Sequence, residues 1–184
     1  MKLQPRLNAN HLKLIAIIAM TIDHVCDLVY PGFPAKPQAI GLHIVGRLTA
    51  PIMWFFVCEG YYYTHNVKKY MLRMGIFALI SHFAYCFAFG INMVPFSTGI
   101  FNQTSVMYPL FVAIYSAVSF LFVSKGYALV QIGVLLVYPV LMLYNGEKGT
   151  AKWMKWFFYL YYPLHLILIG VLRICIYGDI SLLF

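Results

Sequence analysis

Long apolar segments alternate with short polar links along most of this chain. About 20 consecutive apolar residues are needed for an α-helix to cross the roughly 30 Å hydrocarbon core of a bilayer. The pattern therefore predicts an all-α fold, a polytopic membrane bundle of about six transmembrane helices in a single domain over residues 1–184. The predicted helices cover residues 12–30, 42–63, 70–89, 105–123, 127–144 and 153–177.

Prolines lie inside several of these predicted spans. Pro51 has no amide hydrogen and releases the carbonyl of Arg47, so we expect a kink beside a buried guanidinium. Pro109, Pro139 and Pro163 predict kinks in later spans. The stretch 90–104 has polar residues but no charged ones, and fits either a loop or a shallow re-entrant segment.

The composition excludes an ordinary soluble domain. Hydrophobic residues make up 62% of the chain and charged residues 10%, with a mean hydropathy of +0.80. The formal net charge of +8 indicates membrane orientation and contact with anionic lipid, not nucleic acid. The cysteines stand singly in apolar segments without a C-x-x-C pair, so neither a disulfide framework nor a metal site is expected.

Basic residues predict how the chain is oriented, because cytoplasmic loops carry an excess of Lys and Arg. With six spans, both termini lie in the cytoplasm. The basic residues predicted on that side are Lys2, Arg6, Lys13, Lys68, Lys69, Arg73, Lys125 and Arg173. Those predicted on the far side are Lys36, Lys148, Lys152 and Lys155.

The first span contains three ionisable residues, Asp23, His24 and Asp27. A charge at the middle of a bilayer costs at least about 2.5 kcal/mol on insertion scales, so the group needs a polar partner or a function. At 100° per residue the three side chains share one third of the helix surface. That face must contact protein or water, and Arg47 of the second span lies at a depth where it can pair with an aspartate.

Further polar candidates occur on other spans. Tyr161, Tyr162 and His165 share one face of the last span. We therefore predict that His165 and His24 converge on one cavity between the first, second and last helices, where imidazoles can exchange protons near neutral pH. Glu59 and His82 are additional candidates, whereas His11 and His43 are predicted to be interfacial.

Five motifs resemble the TraX family. They are Thr21-Ile22-Asp23-His24, the run Ile44 to Pro51, Glu59-Gly60-Tyr61, the run Thr64 to Tyr70, and Tyr161 to Leu166. The namesake of that family is an F-pilin acetylase, and the family is similar to multi-span membrane acyltransferases that use acyl-coenzyme A. This chain departs from the family pattern in span three, where His82, Ala84 and Cys86 stand in place of Glu, Pro and Asp.

The resemblance implies an acyl-coenzyme A dependent acetyltransferase in a bacterial cytoplasmic membrane. His24 would be the general base or a transient acyl carrier, with Asp23 or Asp27 orienting its ring. Arg47, His165 and Tyr162 would stabilise the oxyanion.

The implied donor is acetyl-coenzyme A, entering from the cytoplasm. Its phosphates would be bound by basic side chains of the link before span three and of that span's first turn: His65, Lys68, Lys69 and Arg73. The acceptor would be an amine or hydroxyl of a peptide, sugar or lipid. Two other classes fit the residues, namely a proton-coupled or cation transporter, for which no internal repeat is visible, and a non-catalytic membrane scaffold.

Overall fold

A computed structural model describes residues 6–31, 34, 36–90, 130 and 133–178. Its regular elements are helical, apart from one isolated bridge between Leu7 and Tyr144. The described helices are α1 (Ala9–Val29), α2 (Pro37–Gly46), α3 (Thr49–Tyr62), α4 (Val67–Phe89), a 3-10 turn (Gly133–Leu136), α5 (Val137–Met142) and α6 (Met154–Tyr177). The predicted span 105–123, the start of 127–144 and nearly all of 90–104 lie outside the described residues.

α1 begins earlier than predicted because Asn8 caps it. The Asn8 side chain accepts hydrogen bonds from the backbone N–H groups of Asn10 and His11, and the His11 ring accepts one from the Asn8 backbone. This reciprocal capping box satisfies amides that would otherwise have no partner at the helix start. His11 is exposed and belongs to the cap.

The predicted second span consists of two helices, α2 and α3. The helix is interrupted at Arg47 and Leu48, just before α3 begins at Thr49. Pro51 lies in the first turn of α3, where a missing amide hydrogen removes no helical hydrogen bond. The interruption therefore precedes the proline, and the predicted kink at Pro51 itself stays a prediction.

Among the described residues, three helical segments are long and apolar enough to cross a membrane. They are Pro37–Tyr62, Val67–Phe89 and Met154–Tyr177. α1 has 21 residues and is long enough to cross as well, but it carries Lys13, Asp23 and Asp27. The described residues do not fix the predicted count of six spans.

The chain forms two compact units. The first comprises Met1–Val57 and Met107–Lys155, and the second comprises Cys58–Val106 and Trp156–Phe184. In the first unit α1 packs antiparallel to α2 and α3. Thr49 Oγ1 donates to the Ala16 carbonyl at 3.2 Å, and the Lys13 ammonium lies 5.1 Å from the centre of the Phe56 ring.

The first unit also joins the start of α1 to the link that follows α5. The backbone N–H of Leu7 donates to the Leu143 carbonyl at 2.8 Å, and that of Ala9 donates to the Glu147 carbonyl at 2.8 Å. The N–H of Asn145 returns a bond to the Leu7 carbonyl at 2.8 Å. The prediction that placed Lys148 on the membrane face opposite to the chain's N-terminal segment is therefore wrong.

In the second unit, α4 and α6 run parallel. Phe77, at the middle of α4, packs against Tyr159, near the start of α6, with ring centres 5.2 Å apart. Further along, Ala84 and Ala88 form a buried core with Leu166 and Ile169. Near the end, an Arg173 Nη atom donates to the Phe87 carbonyl at 3.5 Å. Six alternating crossings would make these two helices antiparallel, so their parallel packing differs from the predicted arrangement, and the number of spans and the side of the termini stay predictions.

Candidate functional site

The candidate site is built from α1 and α2 in the first unit. Asp23 and Asp27 are one turn apart on α1 and face His43 of α2. The Nδ1 atom of His43 is 2.9 Å from Oδ1 of Asp23, and its Nε2 atom is 3.6 Å from Oδ1 of Asp27. The imidazole is 1% exposed and the carboxylates 16% and 18%.

The antiparallel hairpin explains why these side chains meet. Asp23 lies six residues before the end of α1, and His43 six residues after the start of α2, so both are about 9 Å from the α1–α2 link. Gly46 allows the close approach, because a Cβ atom there would overlap the Asp23 side chain. Pro37 starts α2 at a position that needs no amide hydrogen.

The hydrogen bond fixes the chemistry of the imidazole. An ionised carboxylate only accepts, so the His43 Nδ1–H group donates to Asp23. This arrangement fixes the tautomer and leaves Nε2 as the basic nitrogen, facing Asp27. The site can therefore take up a proton at Nε2 and stabilise the resulting imidazolium between two carboxylates.

Arg47 adds a positive charge at the end of α2. It interacts electrostatically with Asp27. Its Nε atom is buried, and in the described part of the chain this atom has no hydrogen-bond acceptor. A buried donor left without an acceptor costs about 1–3 kcal/mol or more. This N–H group is therefore suited to donate a hydrogen bond to an oxygen atom of a bound substrate.

The same cluster also has the composition of a cation site. Asp23, Asp27 and His43 each present one ligand atom, and these atoms all lie within 4.8 Å of one another. Carboxylate oxygens and imidazole nitrogens are ordinary ligands of divalent metals. The arrangement can thus serve proton transfer or cation binding.

The histidine in this cluster is not the one that the sequence favoured. His24 is 9% exposed and lies next to Asp23 on α1, but the imidazole that the two aspartates contact in the described structure is His43. The prediction that His43 is interfacial is wrong. A signal was available, since His43 precedes Arg47 by one helical turn and has the same depth as Asp23. The catalytic role predicted for His24 stays a prediction.

The predicted face of the last span is present in the second unit. The His165 ring stacks on Tyr161, with centres 5.0 Å apart, and meets Tyr162 edge-on at 5.8 Å. His165 Nδ1 is 2.8 Å from the Tyr161 carbonyl, to which it donates, so Nε2 is its basic nitrogen. Its predicted convergence with His24 stays a prediction.

The remaining candidates are also in the second unit. His82 is half-buried beside Cys86, with its Nε2 atom 3.7 Å from Sγ, and Glu59 is half-buried near the end of α3. The four side chains predicted to bind coenzyme A are all exposed: His65, Lys68, Lys69 and Arg73. Their role stays a prediction.

The apolar helices and the buried charged cluster define an integral membrane protein with a polar site among its helices. Comparison with known proteins gives its family. The chain belongs to the TraX family, whose profile, described as TraX protein, matches residues 8–116 and 88–173. The probable fimbrial assembly protein FimC, serogroup H1, of Dichelobacter nodosus is 26% identical over 231 residues, which cover 88% of this chain and 94% of the relative. No solved structure matches the chain.

Proposed function

We propose that this protein is a membrane-embedded acyltransferase that moves an acetyl group from acetyl-coenzyme A to an amine or hydroxyl. Membership of the TraX family supports this activity. The name of the Dichelobacter relative, a probable fimbrial assembly protein, supports an acceptor connected with pili, such as the terminal amine of a pilin-like peptide. Sugar and lipid acceptors use the same chemistry.

The observation that carries the proposal is the buried His43 imidazole between Asp23 and Asp27. In the proposed step the acceptor nitrogen or oxygen attacks the thioester carbonyl carbon, and its proton passes to His43 Nε2. The C–S bond then breaks as the carbonyl re-forms. The coenzyme A thiolate leaves with the proton from the imidazolium, so the site returns to its starting state.

Arg47 is the proposed oxyanion donor. Its buried Nε–H group can donate to the tetrahedral oxygen, an interaction worth several kcal/mol in a preorganised site. Lys68, Lys69 and Arg73 are exposed at the start of α4 and are proposed to hold the phosphates of coenzyme A.

The proposal is tested with the full-length protein in lipid nanodiscs and with cells that express it. Acetyl-coenzyme A should raise the unfolding temperature, and the double variant Lys68→Ala, Lys69→Ala should weaken this effect. Mass spectrometry should find acetylated peptides, glycans or lipids in cells with the wild-type protein and lose them in cells with His43→Gln. Equal acetylation in both cells, with no thermal effect of acetyl-coenzyme A, would rule out the acyltransferase.

A second function, cation or proton-coupled transport, is favoured by one observation. The three ligand atoms within 4.8 Å in a membrane helix pair are what a cation carrier needs. In proteoliposomes, a carrier should show ion-dependent flux that is lost in Asp27→Asn and unaffected by acetyl-coenzyme A. Absence of flux for protons and for divalent and monovalent cations would remove this alternative.

A further inference from the structure

We infer that α1, α4 and α6 all start on the cytoplasmic face of the membrane and end on the opposite face. The Asp23–His43–Asp27 site then lies near that opposite, non-cytoplasmic face. Two packing arrangements, one in each unit, support the common direction of these helices, and the distribution of charge indicates which face is cytoplasmic.

The first unit supplies one part of the argument. Residues 143–147 are bonded through their backbone to Leu7 and Ala9, at the start of α1. The same link is tied to α1 by a side chain: in the orientation that satisfies both amide atoms, Asn10 Nδ2 donates to the Lys148 carbonyl at 3.2 Å and Oδ1 accepts from the Ala151 N–H at 3.0 Å. α6 begins three residues later, at Met154. Both α1 and α6 therefore start on one face of the membrane, and each ends on the other face when it crosses.

The second unit leads independently to the same conclusion. α4 and α6 are parallel, because the contact of Phe77 with Tyr159 precedes the contact of Phe87 with Arg173 along both helices. When α1 and the α2–α3 segment cross in opposite directions, α4 starts on the face where α1 starts, and α6, which is parallel to α4, starts there too.

The distribution of basic residues then indicates which membrane face is cytoplasmic. With this topology, ten basic residues of the described ranges lie near helix ends. Those on the face where α1 starts are Arg6, Lys13, Lys68, Lys69, Arg73, Lys148, Lys152 and Lys155. Those on the other face are Lys36 and Arg173. For the same ten residues the six-span topology gives six against four, so eight against two is the stronger asymmetry, and the positive-inside rule makes the richer face cytoplasmic.

The consequence for the site rests on the proposed function. Asp23 and His43 are about 9 Å from the α1–α2 link, which this topology places outside the cytoplasm. The basic side chains proposed to hold coenzyme A are at the cytoplasmic face. The acceptor is therefore an amine or hydroxyl that has already been exported, and it reaches His43 from the non-cytoplasmic side.

Topology is measured first on the natural sequence, with reporters fused after Phe184 in a bacterial host. Alkaline phosphatase, which folds only outside the cytoplasm, should be active there, and green fluorescent protein should not fluoresce. A fluorescent, phosphatase-negative C-terminus would overturn the inference. These readouts do not depend on acyl transfer, so they can fail while the acyltransferase proposal stands, or succeed while it fails.

Cysteine labelling resolves the internal links. In a chain with its four cysteines replaced by Ala, Lys36→Cys and Tyr177→Cys should react with a membrane-impermeant maleimide on intact cells. Glu147→Cys and His65→Cys should react only after permeabilisation. Labelling of Glu147→Cys and Tyr177→Cys from the same face, or the reverse pattern, would overturn the inference. If the cysteine-free chain does not accumulate in cells, the same four positions are tested instead by fusing the two reporters there in the natural sequence.

Discussion

His43 Nδ1 and Asp23 Oδ1 lie 2.9 Å apart, in a contact that joins α2 to α1. Both side chains sit well inside their helices, at the same depth, with Asp27 on the other side of the imidazole. The contact couples fold and chemistry, since it pairs a partly buried carboxylate and at the same time orients the imidazole proposed as the base.

Replacement of the imidazole should abolish most of the acyl transfer. We expect His43→Gln to lower turnover by about 10²–10⁴-fold, the usual contribution of a general base. The amide can still donate to Asp23, so the protein should remain folded. The measurement is acetyl transfer in membranes, with expression checked by size-exclusion chromatography in detergent.

The matched control is His11→Gln. His11 is exposed and belongs to the capping box of α1, in which Gln is an accepted substitute. Its turnover should stay near the wild-type value. His24→Gln separates the two candidate bases, because loss of transfer in that variant with normal transfer in His43→Gln would contradict the role given to His43.

A methyl group at Gly46 should disturb the site through packing. The added Cβ atom would overlap the Asp23 side chain, and overpacking of this kind typically costs about 1–3 kcal/mol. We expect Gly46→Ala to lower both the unfolding temperature and the transfer rate.

Gly41→Ala on the same helix is the control, because nothing lies within 4 Å of a Cβ atom there. Alanine at that position should be neutral or stabilise by up to about 1 kcal/mol, since it reduces the entropy of the unfolded chain. Equal effects of the two substitutions would show that α1 and α2 do not approach as closely as described.

Arg47 should affect catalysis more than binding. Lysine keeps the charge but removes the planar Nε–H donor, so Arg47→Lys is expected to lower kcat by about 10²-fold, as for loss of an oxyanion donor, with little change in KM for acetyl-coenzyme A. Steady-state kinetics measure kcat and KM for acetyl-coenzyme A separately.

Arg173→Lys is the comparison, since Arg173 also has a buried Nε atom but belongs to the α4–α6 packing. It should change the unfolding temperature more than kcat. A normal kcat for Arg47→Lys would remove Arg47 from the proposed step.

The link that anchors α1 is tested by two glycines with similar backbone conformation. Gly146 has φ +80° and Gly149 has φ +78°, so alanine is strained at both, by about 1–2 kcal/mol. Only at Gly149 would the new methyl group also meet Asn8 and Asn10, the residues at the start of α1. We expect Gly149→Ala to lower the unfolding temperature clearly more than Gly146→Ala, and equal losses would mean that this link does not rest on the start of α1.

The sequence predicted several individual elements well. Residues 12–30, 70–89 and 153–177 are each within three residues of α1, α4 and α6 at both ends, because long apolar runs leave the backbone no alternative to helical hydrogen bonds in a membrane. The placement of Tyr161, Tyr162 and His165 on one face also agrees with their ring contacts, since helical periodicity alone determines which side chains are neighbours. The family predicted from the motifs is also confirmed, since the TraX profile matches the chain.

The sequence could not predict which helices pack together or in what direction. Asp23 was visible as a buried charge in need of a partner, but periodicity does not say which residue of another helix supplies that partner. The parallel packing of α4 and α6 was missed for the same reason, because an apolar segment has the same composition whichever way it points.

The sequence by itself therefore determined the kind of protein, its described long helices and the presence of an ionisable cluster on α1, because hydropathy and the cost of a buried charge act on each segment separately. Tertiary structure alone decided that His43 is the partner of Asp23, that Gly46 makes room for that contact, and that α4 and α6 are parallel. These properties depend on distances between segments far apart in the chain, and side-chain packing fixes those distances only when the helices come together.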